Sequence, residues 1–170
     1  MDASNYFELF EIPVTLKPEP QLLRGKFLEL SRKYHPDFYM RSSPGAQEEA
    51  LGRSALLNRA WKTFQDPDAT IRYVLMSKGL MQEEEKYELP PDFLMEVLDI
   101  NEEVMDAAAP DPQLLNRLDE LQKEIYEPVQ DIIENYEEAV HQEKELLRVK
   151  EYYYKKKYLD RIRRELLQKA

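Results

Sequence analysis

Leu23, Phe27, Leu30 and Tyr34 follow one another at spacings of four, three and four, and the pattern stops at His35-Pro36. That spacing lines one face of an α-helix, and a proline at 36 disfavours helical backbone at the residue before it. A second pattern runs from about Ala46 to Phe64, with Leu57, Ala60, Trp61 and Phe64 on one face before Asp66-Pro67 ends it. Between them lies a turn-rich stretch, Arg41-Ser-Ser-Pro-Gly45. The chain is therefore expected to form two antiparallel helices joined by a loop at His35. Tyr6 to Phe10 reads as a short helix before this pair, with Ser4 or Asn5 as N-cap and Pro13 just beyond its end, and residues 69–76 as a short helix after it.

Gly79 and the polar link that follows, MQEEEKYELPP, suggest a domain boundary. The expected division is 1–78 for the first domain, 79–90 for a linker and 91–170 for the second. Three helical segments are predicted in the second, about Pro91 to Ala109, Pro112 to His141 and Glu143 to Lys169. Pro128 should kink or divide the middle one, because it lacks a backbone donor and crowds the preceding turn. With four glycines, no long β-branched alternation and abundant Leu, Glu, Lys and Gln, the fold class expected is all-α.

The absence of cysteine excludes disulfides, thiolate catalysis and Cys-based metal ligation by this chain. Its first residues carry acids and aromatics where a signal peptide would have a basic stretch and an apolar run, so a cytoplasmic protein is expected. No window approaches membrane-spanning length. A net charge of −10 argues against nucleic acid and anionic membranes as main partners. The charge is unevenly spread: residues 66–142 hold 5 basic and 21 acidic groups, and residues 143–170 hold 10 and 5. These two stretches are complementary enough to pack on each other.

Pro36 holds His35 and Asp37 on a stiff corner between two helices, which suits recognition. As an acid–base pair the two residues would still need a pocket and an activated nucleophile or metal, so no catalytic role is assigned to them. His141, in an acidic segment, reads as a surface residue, and no metal or cofactor is expected. The order of parts, short helix, long helix, His35-Pro36-Asp37 and then a helix carrying Leu57-Asn58-Arg59-Ala60-Trp61, resembles the J-domain over roughly residues 4–75. That resemblance implies that His35, Pro36 and Asp37, with Arg24, Lys26, Arg32 and Lys33, contact a DnaK-type ATPase and stimulate it. Without the resemblance, the basic residues read as a solvated helix face.

Along residues 91–106, Phe93, Val97, Ile100 and Val104 form one stripe, and Leu94, Leu98 and Met105, with Asn101 between them, form another. Met95, Asp99, Glu102 and Asp106 make a third, mostly acidic row. The apolar arc is wider than one helix contact needs, and its carboxylate rim suits protein docking. In the last helix Val149, Tyr152, Leu159, Ile162 and Leu166 can serve the core, leaving Tyr158 on a neighbouring face. The pieces Phe93-Leu94-Met95-Glu96 and Tyr158-Leu159-Asp160-Arg161-Ile162 are similar to segments of the HscB family of iron-sulfur co-chaperones, which implies a non-enzymatic adaptor for a DnaK/HscA-type ATPase. The resemblance assigns Leu94, Met95, Leu98, Asp99, Glu102, Asp106 and Tyr158 to binding of an IscU-type scaffold. The family's Glu is Asp at 99 and 106, and a Phe-like position is Tyr158, changes that keep the chemistry. The zinc-binding Cys extension of some eukaryotic relatives is absent, which favours a bacterial-type member. Two alternatives are a J-protein serving another client and a helical enzyme or metal-binding protein using His35, Asp37 or His141. The run Lys155-Lys156-Lys157 with Arg161, Arg163 and Arg164 reads as intramolecular pairing in preference to an RNA site.

Overall fold

The helices begin by a repeated device. A side chain that accepts backbone N–H groups stands immediately before a proline at the first helical position, where a missing donor costs nothing. In the computed structural model, which describes residues 5–169, this occurs at Glu19-Pro20, Ser43-Pro44, Asp66-Pro67 and Asp111-Pro112. These pairs open α2 (Pro20–Lys33), α3 (Pro44–Gln65), α4 (Pro67–Ser77) and α6 (Pro112–Tyr126). The first helix, α1 (Tyr6–Phe10), is capped by Asn5, whose side chain accepts from the N–H groups of Phe7 and Glu8; Ser4, the other candidate, lies outside the described residues. A Pro90-Pro91 pair opens α5 (Pro91–Asp106). Every regular element among the described residues is a helix.

Two compact units result. The first takes in the chain up to Val74 together with Asn135–Val140, the second Leu75–Glu134 and the residues from His141 on. In the first, α2 buries Leu23 and Leu30, α3 buries Ala50, Leu57, Ala60 and Phe64, and α1 adds Phe7 and Phe10. Aromatic contacts close this core: Phe64 meets Phe10 edge-on at 5.2 Å, and Tyr6 stacks on Tyr73 at 4.3 Å.

In the second unit the middle segment does not run to residue 141 as one helix. At Pro128 it passes into a 3-10 turn (Glu127–Val129), continues as the short α7 (Gln130–Asn135) and ends where Asn135–Val140 groups with the first unit. The proline ring cannot sit inside a continuous α-helix, so the axis breaks there. Arg148 donates to the Pro128 carbonyl at 2.9 Å and satisfies a group left over by the break. The last helix, α8 (Glu143–Leu167), starts at a reciprocal cap between Gln142 and Glu145. Its pairs fix the bundle's directions. Arg163 meets Asp119 at 2.6 Å and Arg148 meets the 3-10 turn just beyond the end of α6, so these helices run antiparallel, while Phe93 lies against Tyr158 and Met105 against Lys169, so α5 and α8 run parallel. Phe93, Val97, Ile100, Val104, Leu114, Leu118, Leu121, Leu159, Ile162 and Leu166 form the core. The link before α5 is also bound to α8: Lys150 and the Tyr154 hydroxyl both reach Glu85, at 2.8 and 3.2 Å, and Tyr87 stacks on Tyr154 at 4.6 Å.

Beside this core a groove of about 460 Å³ runs over Phe93, Leu121 and Tyr152, with Glu96, Glu124, Arg148 and Lys155 at its sides. Desolvation holds the Glu96 carboxyl above its usual range, and the neighbouring Glu124 carboxylate pushes in the same direction. Because the folded-state value is raised, the stability linked to protonated Glu96 is fully present below its unfolded value near 4.5 and is lost as pH rises through the folded value. Removing the like charge should therefore stabilise the ionised state. Glu124→Gln is expected to raise the melting temperature at pH 7.5, with the gain shrinking as the pH falls towards 4.5 in thermal unfolding followed by circular dichroism.

Two glycines should respond in opposite directions to the same change. After α4, Gly79 lies at φ 73° in a Schellman end, with Leu80 N–H donating to Leu75 O and Gly79 N–H to Met76 O. Gly25 sits in the middle of α2 with open space where a Cβ would be. Gly79→Ala should cost about 1 kcal/mol by forcing a side chain into the left-handed region, and Gly25→Ala should gain about 0.5–1 kcal/mol. Urea denaturation of both variants checks the signs.

Candidate functional site

The corner at His35 is built by packing on one side and caps on the other. Phe27 stacks on Trp61 at 4.3 Å, with their planes 22° apart, and joins the faces of α2 and α3 about two helical turns before His35. His35 leaves the helix in extended conformation, and its own Nδ1 accepts the Asp37 N–H at 3.3 Å. The Phe38 N–H donates to the His35 carbonyl at 3.1 Å, and the Tyr39 hydroxyl donates back to the Lys33 carbonyl at 3.0 Å. His35, Pro36 and Asp37 therefore stand exposed on a 3-10 turn (Pro36–Tyr39) with little freedom to move. Nδ1 of His35 also lies 3.5 Å from Oδ2 of Asp37. That contact is an ion pair only for the imidazolium, in which Nδ1 no longer accepts from the backbone, so the cap and the pair are alternative states of one atom.

The four basic residues of α2 do not act as one group. Arg24, Arg32 and Lys33 are exposed, whereas Lys26 is partly covered and turns towards Glu11 at 3.8 Å. Arg24 and Arg32 have no side-chain ion pair or hydrogen bond among the described residues. They stand eight residues apart on one row of the helix, and the residue midway between them is Leu28. Leu28, Phe38 and Met40 are exposed apolar residues that the stripe pattern passes over, because it registers only the face that packs. The signal for Leu28 was its four-residue spacing from each arginine.

On α5 the two apolar stripes have different fates. Phe93, Val97, Ile100 and Val104 are 0–5% exposed, whereas Leu94, Leu98 and Met105 are 40%, 52% and 67% exposed, as is Met95 of the third row at 70%. Side-chain pairs explain the division. Glu103 meets Arg117 of α6 at 2.8 Å, and Glu96 faces Glu124, so one flank of α5 lies along α6 and the flank with Leu94 and Leu98 lies away from it. Asp99, Glu102 and Asp106 are all exposed beside that flank. Tyr158 is placed differently from the leucines. It is half-buried against the core, edge-on to Phe93 at 6.3 Å, with the Arg161 guanidinium 4.8 Å from its ring centre. The second stripe and the acidic row together thus bring six of the seven assigned residues to the surface of one helix, and Tyr158 borders it from α8.

Residues 89–167 match the family model described as the HSCB C-terminal oligomerisation domain. Among curated proteins, the co-chaperone protein HscB homolog of Vibrio cholerae serotype O1 is 33% identical over 106 residues, covering 62% of this chain and 62% of its own length. The homolog of Photobacterium profundum is 32% identical over 111 residues, covering 64% and 65%. The chain thus spans a little under two thirds of the curated relatives it matches. Among solved structures, the chaperone HscB from Vibrio cholerae superposes with a TM-score of 0.72 at 26% identity, over 95% of each chain. The crystal structure of human co-chaperone protein HscB gives 0.77 at 24% identity, covering 98% of this chain and 82% of the other, a likeness of fold. No helix among the described residues is long and apolar enough to cross a membrane. The likeness extends through both halves of the chain, and what the chain is similar to throughout is the HscB-type co-chaperone.

Proposed function

We propose that this chain is a non-catalytic cytoplasmic adaptor in iron-sulfur cluster assembly, which stimulates a DnaK/HscA-type ATPase and delivers an IscU-type scaffold to it. Residues 1–78 act as the J-domain, 79–90 as linker and 91–170 as the client-binding domain. His35, Pro36 and Asp37, with Arg24, Arg32 and Lys33, meet the ATPase. Lys26 contributes after release from Glu11. Leu94, Met95, Leu98, Asp99, Glu102 and Asp106, bordered by Tyr158, meet the scaffold.

The observation that carries this reading is the outward second stripe of α5. A helix whose packing is complete with Phe93, Val97, Ile100 and Val104 needs no further leucines, and leaving Leu94 and Leu98 in water is unfavourable unless a partner covers them. The carboxylates around them suit a partner with basic groups at its rim and act on encounter rate and salt dependence more than on final affinity.

Because His35 and Asp37 are exposed and make no core contact, His35→Gln should fold normally and lose stimulation of the ATPase. Steady-state hydrolysis with a purified DnaK-type chaperone measures this, and a variant as active as the parent refutes the role given to the loop.

The client surface is tested by Leu94→Ala with Leu98→Ala, which should weaken scaffold binding in calorimetry by about 2–4 kcal/mol, as for apolar anchors central to an interface. The melting temperature should barely change, since a buried Leu→Ala would instead cost about 2–5 kcal/mol of stability. Tyr158→Ala makes a poorer probe, because its ring packs on Phe93 and its loss would weaken both binding and folding.

A further inference from the structure

The corner at His35 carries more apolar surface than its own packing uses. Phe38 and Met40 are each 72% exposed, and Leu28 is 47% exposed. Hydration of a phenyl ring is unfavourable, and the turn could bury it only by moving. The turn is held in several ways. The Phe38 N–H is bonded to the His35 carbonyl, Tyr39 reaches back to Lys33, and the Gln47 side-chain amide donates to the carbonyls of Met40 and Ser42 at 3.1 and 2.9 Å. The Phe38 ring meets the His35 imidazole edge-on at 6.3 Å, which places it beside the loop. An aromatic ring fixed in water on a rigid turn loses little entropy when a partner covers it. On the outer row of α2, Arg24 and Arg32 flank Leu28 without ion-pair partners among the described residues.

We propose that Phe38, supported by Met40 and Leu28, is the apolar anchor of the ATPase-facing surface, inserting into an acid-rimmed apolar recess of the chaperone beside the place where His35 and Asp37 dock. The inference rests on the adaptor reading above and deepens it. His35 and Asp37 act on the partner's hydrolysis, whereas Phe38 sets how tightly the partner is held. The occupant is the chaperone because Phe38 lies directly beside His35 and the free arginines of the preceding helix call for carboxylates opposite them. A second copy of this chain would bring the same arginines together.

The test is titration of Phe38→Ala against a purified DnaK-type chaperone, reading the concentration for half-maximal ATPase stimulation separately from the maximal rate. The half-maximal concentration should rise about tenfold or more, as for loss of a central aromatic anchor, with the maximal rate retained. Phe38→Leu should recover part of the loss, and Leu167→Ala, also apolar and exposed but at the end of α8, should behave as the parent. Arg24→Gln with Arg32→Gln should weaken binding less as salt is raised, since it removes the screened part of the attraction. If the parent stimulates and a folded Phe38→Ala matches its titration, the anchor is refuted while the adaptor reading stands. If the parent itself fails to stimulate, both fall. If sedimentation shows a dimer of the parent that Phe38→Ala dissolves, the patch is a self-interface and the anchor is refuted.

Discussion

A helix packed against one or two neighbours can bury only a stripe of its surface, and the arrangement of this protein depends on that limit. In the second unit, α5 completes its stripe with Phe93, Val97, Ile100 and Val104, and the ion pair from Glu103 to Arg117 marks the flank that lies along α6. Every other apolar side chain of α5 is then turned outward by the helix geometry itself. In the first unit α2 completes its stripe through Leu23, Leu30 and the stack of Phe27 on Trp61, which leaves Leu28 among arginines. The exposed apolar surfaces of both units are what remains after the cores are satisfied.

Polar groups decide where the chain changes direction. Side-chain caps followed by proline start helices at low cost in backbone hydrogen bonds, and the His35 imidazole does the same for the turn that carries the loop. The basic character of α8 is absorbed within the molecule to a large extent. Lys150 meets Glu85, Lys155 meets Glu151, Lys156 meets Asp160 and Arg163 meets Asp119. A cluster already neutralised by its neighbours offers little to a polyanion. The aromatic residues of this helix follow the same rule, since Tyr152 is buried, Tyr154 stacks on Tyr87 and Tyr158 lies against Phe93.

The sequence by itself determined the all-helical class, the corner at His35-Pro36-Asp37 and the separation of the two stripes of α5. All three follow from short-range rules: a 3.6-residue period, the steric restriction before proline and the scarcity of glycine. The break at Pro128 was legible for the same reason, but the end of the following helix at Asn135 was not, because no glycine or proline marks it and the chain there changes from one compact unit to the other. Only the tertiary structure decided that Lys26 turns to Glu11 and away from the arginine row, and that Tyr158 is partly core. Each depends on which surface of a neighbouring helix comes opposite, and periodicity, which is a property of one helix alone, contains no information about its neighbour.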